Sequence, residues 1–366
     1  MKWGGIHSWG HAFARNRICR KRTKSDKFRG DEKPRTGVIL KKTFALFFAA
    51  LFLWIGAACD QKSGDISVYA PDGAPALSLA KLLAEDTEED GISYRIVNTK
   101  GIEARVQYED ESKNADICVL PLTDASLYLG TGEEYRLLGM VTHGNFFLLS
   151  EHAQTVSTAN LSNLIGKTVG VVQLGKLPGL TLRYVLEREN VPYAIQEGAG
   201  DAEMDKVNLV NVPPTSIKTG AGFDLFLAPE PLVSLKTKTG FFNAGSLQTF
   251  YGENGYPQAA VVAKQSLISE NPEVINDFIE DLNANGEWLK TAELSVILQA
   301  IHSHLDEGLT PAFTDENFSR EAIAGCNVYF ASASDQKMEI NGFISALQSV
   351  NENAVKPFAD RFFYGD

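Results

Sequence analysis

The sequence predicts an α/β fold: two similar βαβ lobes with a ligand cleft between them, and C-terminal helices packing on lobe one. Short β-branched runs alternate with stretches whose apolar residues recur at helical spacing, as in strands joined by crossover helices. The same order recurs about a hundred residues further along the chain. The last hundred residues are mostly helical in spacing, the pattern of a cap rather than a third lobe.

In order, "DISVYA" reads as a strand, "APALSLAKLLAED" as a helix, "SYRIVN" as a strand and "DICVLPLT" as a strand running into a helix. The series restarts with "KTVGVVQ" as a strand, "LPGLTLRYVLEREN" as a helix and "DLFLAPEP" as a strand running into a helix. Gly73, Pro75, Leu79 and Leu82 correspond to Gly175, Pro178, Leu182 and Val185, and "DICVLP" at Asp116–Pro121 to "DLFLAP" at Asp224–Pro229. Near-constant offsets predict related lobes, although βαβ units share such patterns by physics alone. After Ala263, Pro272 opens a helix with a Val274, Phe278, Leu282 stripe. Shorter helices are expected around Leu294–Leu305, Asp315–Ala322 and Lys337–Val350. Chain crossovers are expected near Leu149–Thr155 and Gly255–Val261, so that residues 66–152 and 260–366 make lobe one and 153–259 make lobe two.

The N-terminal region reads as a targeting signal. Thr43–Ala58 is an uncharged run of sixteen residues, whereas a helix needs about twenty to cross a bilayer. Lys41 and Lys42, a Phe/Leu/Ala-rich centre and the small residues Gly56–Ala58 match the three parts of a secretory signal. Cys59 follows at once, so the run resembles a lipobox whose cysteine is lipidated, with Gly56 where leucine is usual. Residues 38–58 are therefore expected to be the signal peptide and 59–65 a tether. Residues 1–37 are read as a spurious leader upstream of a start at Val38.

Leaving out residues 1–58 leaves 21 Lys/Arg against 43 Asp/Glu, a net charge of −22. Such a chain lacks the basic surface that nucleic acid requires, so no nucleic-acid partner is expected. Of the cysteines beyond Cys59 only Cys118 and Cys326 remain. They exclude a disulfide scaffold and leave open one bridge or two buried thiols.

Each lobe offers Gly/Pro turns at strand ends that open onto helices, where free backbone N–H groups favour polar or anionic ligand groups. In lobe one these are Pro71, Asp72 and Gly73, then Pro121, Leu122 and Thr123; in lobe two they are Gly175, Lys176 and Leu177, then Glu230. Thr123 serves as a helix cap or a ligand hydroxyl, Lys176 as a charge for an anion, and Glu230 as a partner for an amine. Tyr256 and Gln258, in "GYPQ", place an aromatic ring and an amide at a crossover, where a flat ligand would stack. His302 and His304 form an H-x-H that helical geometry splits between faces, so no metal site is expected. Nucleotide, flavin and hydrolase signatures are missing, and neither a cofactor nor a catalytic residue is expected.

Together "ADICVLPLTDASLYL", "YRLLGMVTHGN", "LIGKTVGVVQLGKLPGLTLRYVL", "FDLFLAPEPLVSL", "GYPQAAVV" and "AGCNVYF" resemble the solute-binding lipoproteins of ABC importers with the type II periplasmic-binding fold. The nearest group is the aliphatic-sulfonate, taurine, nitrate and thiamine-pyrimidine binding proteins. The resemblance covers Ile66–Tyr364 and implies a monomer, held to the cell membrane by lipid alone on its extracytoplasmic face. It further implies that this monomer captures a small solute and passes it to a permease driven by an ATPase. Gly144 and Asn145 join the turns above as cleft residues by this resemblance. No arginine lies in those loops, which favours a neutral or zwitterionic organic solute. Enzymes of menaquinone or pyrimidine synthesis share the fold, and an anchored ligand sensor is a third reading.

Metabolic labelling with a radioactive fatty acid should mark the wild type and not Cys59→Ala. Equal labelling of both would refute the anchor.

Overall fold

The computed structural model describes residues 66–87 and 91–365. The leader, signal, tether and Cys59 lie outside the described residues. Strands β1 (Ile66–Pro71), β2 (Ile92–Val97), β3 (Ile117–Pro121) and β4 (Tyr135–Thr142) come first in the chain. They are followed by β5 (Phe146–Ser150), β6 (Thr168–Val172), β7 (Tyr193–Gln196), β8 (Val207–Val212), β9 (Leu225–Pro229), β10 (Phe242–Ser246), β11 (Ala259–Lys264) and β12 (Val328–Ser332). They build two six-stranded mixed sheets, ordered β12-β4-β11-β3-β1-β2 in lobe one and β10-β5-β9-β6-β8-β7 in lobe two.

Setting β12 and β7 aside, the two orders are the same, with β1, β2, β3, β11 and β4 matched by β6, β8, β9, β5 and β10. In each lobe the first three strands run parallel, and the fourth runs antiparallel to its neighbours on both sides. That antiparallel strand comes from across the hinge: β5 follows β4 directly, and β11 follows β10 and one short helix. The first crossover is thus His143–Asn145, earlier than the expected Leu149–Thr155. β5 belongs to lobe two's sheet, and a lobe boundary after residue 152 would misplace it. The second, between Tyr251 and Ala259, lies close to where the GYPQ turn indicated.

The paired motifs do the same work in both lobes. Asp116 accepts the Ser67 N–H at 2.9 Å, and Asp224 accepts the Thr168 N–H at 2.8 Å. In return the Asp116 and Asp224 N–H groups bond the Ser67 and Thr168 carbonyls. Each aspartate therefore pins the start of the third strand to the start of the first and sets their register. A one-residue slip would send apolar side chains to the wrong face.

Helices cover both faces of each sheet. The first predicted helix is broken, into Ala74–Leu77 and Ala80–Glu85. Buried Asn285 bridges the break, donating to the Leu77 carbonyl at 3.0 Å and accepting the Lys81 N–H at 2.9 Å. It projects from helix Pro272–Thr291, whose buried stripe is Ile275, Phe278, Leu282, Asn285 and Leu289, so the stripe is centred one residue from the Val274 expected. The helix expected at Asp315–Ala322 begins later, at Arg320, behind its Ser319 cap. Helix Ala333–Val350 packs on β4 of lobe one and on helix Leu177–Arg188 of lobe two, where the sequence suggested lobe one alone. Its Phe343 shares one continuous core with Leu122 and Tyr256 and with Leu148 and Leu177. Cys118 and Cys326 are free buried thiols. No helix among the described residues is long and apolar enough to cross a membrane.

Asn285→Leu would leave a buried carbonyl and a buried N–H unpaired. It should lower the unfolding free energy by about 2–4 kcal/mol, read as a lower urea midpoint at unchanged slope.

Candidate functional site

The site forms where the two crossovers lie side by side. Asn145 directly precedes β5, and its carbonyl accepts the N–H of Glu230, the residue after β9. Gln258 directly precedes β11, and its carbonyl accepts the N–H of Leu122, the residue after β3. These are equivalent positions in the two lobes. Their side chains meet, with Gln258 Nε2 donating to Asn145 Oδ1 at 2.9 Å, while Asn145 Nδ2 donates to the Glu230 carbonyl at 3.3 Å. Two backbone bonds complete the knot, Gln258 N–H to the Thr142 carbonyl at 3.0 Å and Tyr256 N–H to the His143 carbonyl at 3.2 Å. Gly144 sits within it at φ 94°, and a Cβ there would stand 2.8 Å from both the Tyr256 ring and Gln248 Cβ. Only glycine accepts both that conformation and that approach.

Unpaired polar atoms concentrate around this knot. Among the described residues ten buried side-chain atoms lack a hydrogen bond, and nine belong to Thr123, Asp124, Thr142, His143, Gln248, Tyr256, Gln258 and Gln336. A buried polar group left unpaired costs about 1–3 kcal/mol, so this concentration sets the knot apart from the rest of the described residues.

The expected site residues fall into two groups. Pro121–Thr123, Gly144, Asn145, Glu230, Tyr256 and Gln258 converge on the knot through the contacts above. Gly175, Lys176 and Leu177 form lobe two's turn, and Lys176 reaches Asp124 of lobe one, Nζ to Oδ1 at 3.6 Å. Pro71, Asp72 and Gly73 end β1, which pairs with β3. Asp72 is spent on backbone, accepting the N–H groups of Gly73 and Ala312 at 2.7 and 2.6 Å. Open space remains at these turns, since a Cβ at Gly73 or at Gly175 would meet nothing within 4 Å. Of the four helices expected to point N-termini at a ligand, three span only 4, 7 and 6 residues, and Leu177–Arg188 alone is long. The dipole available to an anion is correspondingly smaller than the sequence suggested.

Tyr256 does not offer the stacking face expected of it. Its ring is fully buried, stacked on Phe343 at 28° and met edge-on by Tyr251, which leaves its unpaired hydroxyl as the polar feature. Glu230, joined by a cis bond to Pro231, accepts the N–H and hydroxyl of Ser234. Burial raises its pKa, and Ser234 pulls it partly back. His143 was not among the expected residues, and no pattern around it in the sequence points to a role. It is 1% exposed and lies flat on Tyr329, ring centroids 3.6 Å apart and planes within 5°. Burial pushes its imidazole down to about 4; the Gln336 side chain and the Asn327 backbone lie close enough to favour the charged form more weakly, but neither completes a hydrogen bond to the ring. Burial pushes Cys118 up to about 12 and Cys326 well above a normal thiol, so neither is a thiolate at neutral pH. No group of three or more His, Cys, Asp or Glu among the described residues could hold a metal.

Cavities of about 300 and 590 Å³ lie elsewhere. The first is lined by Lys100, Arg105 and Asp306 in lobe one, the second by His152, Lys167 and Asp224 at the strand starts of lobe two.

No protein-family model matches the sequence, and no curated protein is significantly similar to it. Solved structures do match in three dimensions. An ABC transporter protein from Parabacteroides distasonis aligns over 82% of this chain and 98% of its own, at 19% identity and a TM-score of 0.63. The periplasmic aliphatic sulphonate binding protein of Escherichia coli aligns over 79% and 87%, at 13% identity and 0.55. DszB with biphenyl-2-sulfinic acid bound, an enzyme, aligns over 82% and 96%, at 12% identity and 0.50. The chain has the two-lobed fold that the solute-binding proteins of ABC importers share with a few enzymes.

A histidine whose folded pKa lies below its unfolded value near 6.5 leaves the unfolded chain holding the extra proton. His143 thus costs nothing above about pH 6.5 and destabilises progressively as pH falls toward 4, by about 3 kcal/mol for the full shift. Burial raises the carboxyls of Asp72, Asp124 and Glu230, which acts in the opposite direction. His143→Gln should therefore lose less stability than the wild type between pH 6.5 and 4.5. Parallel melting profiles would refute the assignment.

Proposed function

We propose that this protein is the lipid-anchored solute-binding component of an ABC importer. It closes its lobes on a small organic solute and delivers it to a permease powered by a separate ATPase. The observation that carries the reading is the concentration of unpaired buried polar atoms at the joint between two lobes of matched topology. A cleft of this form binds by shifting an open–closed equilibrium, since a guest that contacts both lobes favours the closed state by its differential affinity. Pro71–Gly73, Pro121–Thr123, Gly144, Asn145, Gly175–Leu177, Glu230, Tyr256 and Gln258 form its lining. The protein works as a monomer at the outer face of the cell membrane, held there by Cys59. An acyl tether keeps it beside the permease while leaving the lobes free to move.

The second reading is an enzyme, favoured by the match to DszB. Burial keeps the thiols of Cys118 and Cys326 protonated, which disfavours a cysteine nucleophile for such an enzyme.

A thermal-shift screen of the protein from Asp60 onward, against sulfonates, nitrate, pyrimidines, flavins, amino acids and polyamines, tests the proposal. A solute at 100 times its dissociation constant should add about 2.7 kcal/mol of stability. Turnover of any of these compounds without a partner protein would overturn it in favour of the enzyme.

A further inference from the structure

We propose that the solute is a small organic amine, and that Asp124 receives its protonated nitrogen in exchange for Lys176. This rests on the solute-binding reading above and names the chemistry of that same site.

Asp124 lies in the first turn of helix Leu122–Tyr128, directly after β3. It is 5% exposed, and its Oδ1 has no hydrogen bond. Its counter-charge comes from the other lobe: Lys176 Nζ stands at 3.6 Å, beyond hydrogen-bonding distance, on a side chain that is 60% exposed. A buried carboxylate oxygen without a donor is costly. A mostly solvated lysine at that distance recovers little of the cost, because water competes for it and its stem is flexible. A compact ammonium placed between the lobes would bond Asp124 directly and release Lys176 to solvent.

The neighbouring unpaired atoms suit the same guest. The side-chain oxygens of Gln248, Gln258 and Gln336 carry no proton, and the hydroxyls of Thr123, Thr142 and Tyr256 accept as readily as they donate. Gln258 has its orientation fixed, since its Nε2 is committed to Asn145 and only its oxygen is left over. Among the unpaired atoms the only nitrogens are those of His143. An acceptor-rich site calls for a ligand that brings the N–H groups.

The same features disfavour a strong anion such as a sulfonate. It would meet the buried carboxyl of Asp124, with Lys176 at 3.6 Å on a side chain that is mostly solvated. The net charge of −22 beyond residue 58 adds a repulsive field for anions and an attractive one for cations.

The test is calorimetric titration of the full-length protein with putrescine, agmatine and 4-aminobutanoate, set against propanesulfonate and nitrate. At least one amine should bind and neither anion should. Asp124→Asn should weaken that amine about ten- to a hundredfold, the worth of a hydrogen bond to a charged group, and Lys176→Met should tighten it by removing the competing cation. Circular dichroism checks that each variant folds, and Lys176→Met carries the test alone if Asp124→Asn does not fold. Binding of propanesulfonate without any amine would overturn this inference and leave solute capture standing. No amine binding at all, or amine affinities that neither variant alters, would overturn it equally.

Discussion

The hydrogen bond between Asn145 and Gln258 joins the two places where the chain passes from one lobe to the other. Each of these residues also gives its carbonyl to the first residue beyond the third strand of a lobe, Glu230 in one case and Leu122 in the other. The pair therefore ties four segments together: both crossovers, the end of β3 and the end of β9. The two amides occupy equivalent positions in the two lobes. Motion of one lobe against the other must pivot about this point or break it.

Around that well-bonded joint the hydrogen bonding is uneven. The backbone there is satisfied, while side chains a few ångströms away are not. Elsewhere the structure goes to some length to avoid this, as with Asn285 serving the broken helix and Asp116 and Asp224 serving the strand starts. A protein that satisfies a helix break with a dedicated buried asparagine does not tolerate orphaned groups by default. Nine of the ten exceptions among the described residues surround the joint between the crossovers.

Much of the architecture was legible in the sequence, for definable reasons. The DICVLP and DLFLAP pair stood out because each aspartate and proline occupies a position that backbone geometry constrains, and both motifs form the strand ends expected of them. The first crossover was not legible. A three-residue link is too short to alter composition, and the apolar run Phe146–Ser150 does not show which sheet it joins. The turn residues were found because Gly and Pro announce turns, yet their chemistry was not. Asp72 looked free and is bound to Ala312; Tyr256 looked like a stacking platform and is enclosed by Phe343 and Tyr251. Asp124 and His143 went unremarked because an acid in a helix's first turn and a histidine beside a glycine are ordinary in sequence. Their significance lies in burial, which only the assembled lobes create.

The exchange of β5 and β11 bears on how the chain acquires its structure. β3 takes β11 as a neighbour more than 130 residues downstream, and without it the third strand of lobe one has an open edge. Lobe one cannot close its sheet until lobe two has been synthesised. Lobe one is therefore discontinuous in sequence, whereas the six strands of lobe two follow one another from Phe146 to Ser246. Such long-range pairing slows folding, because loop closure must come before any contact repays it.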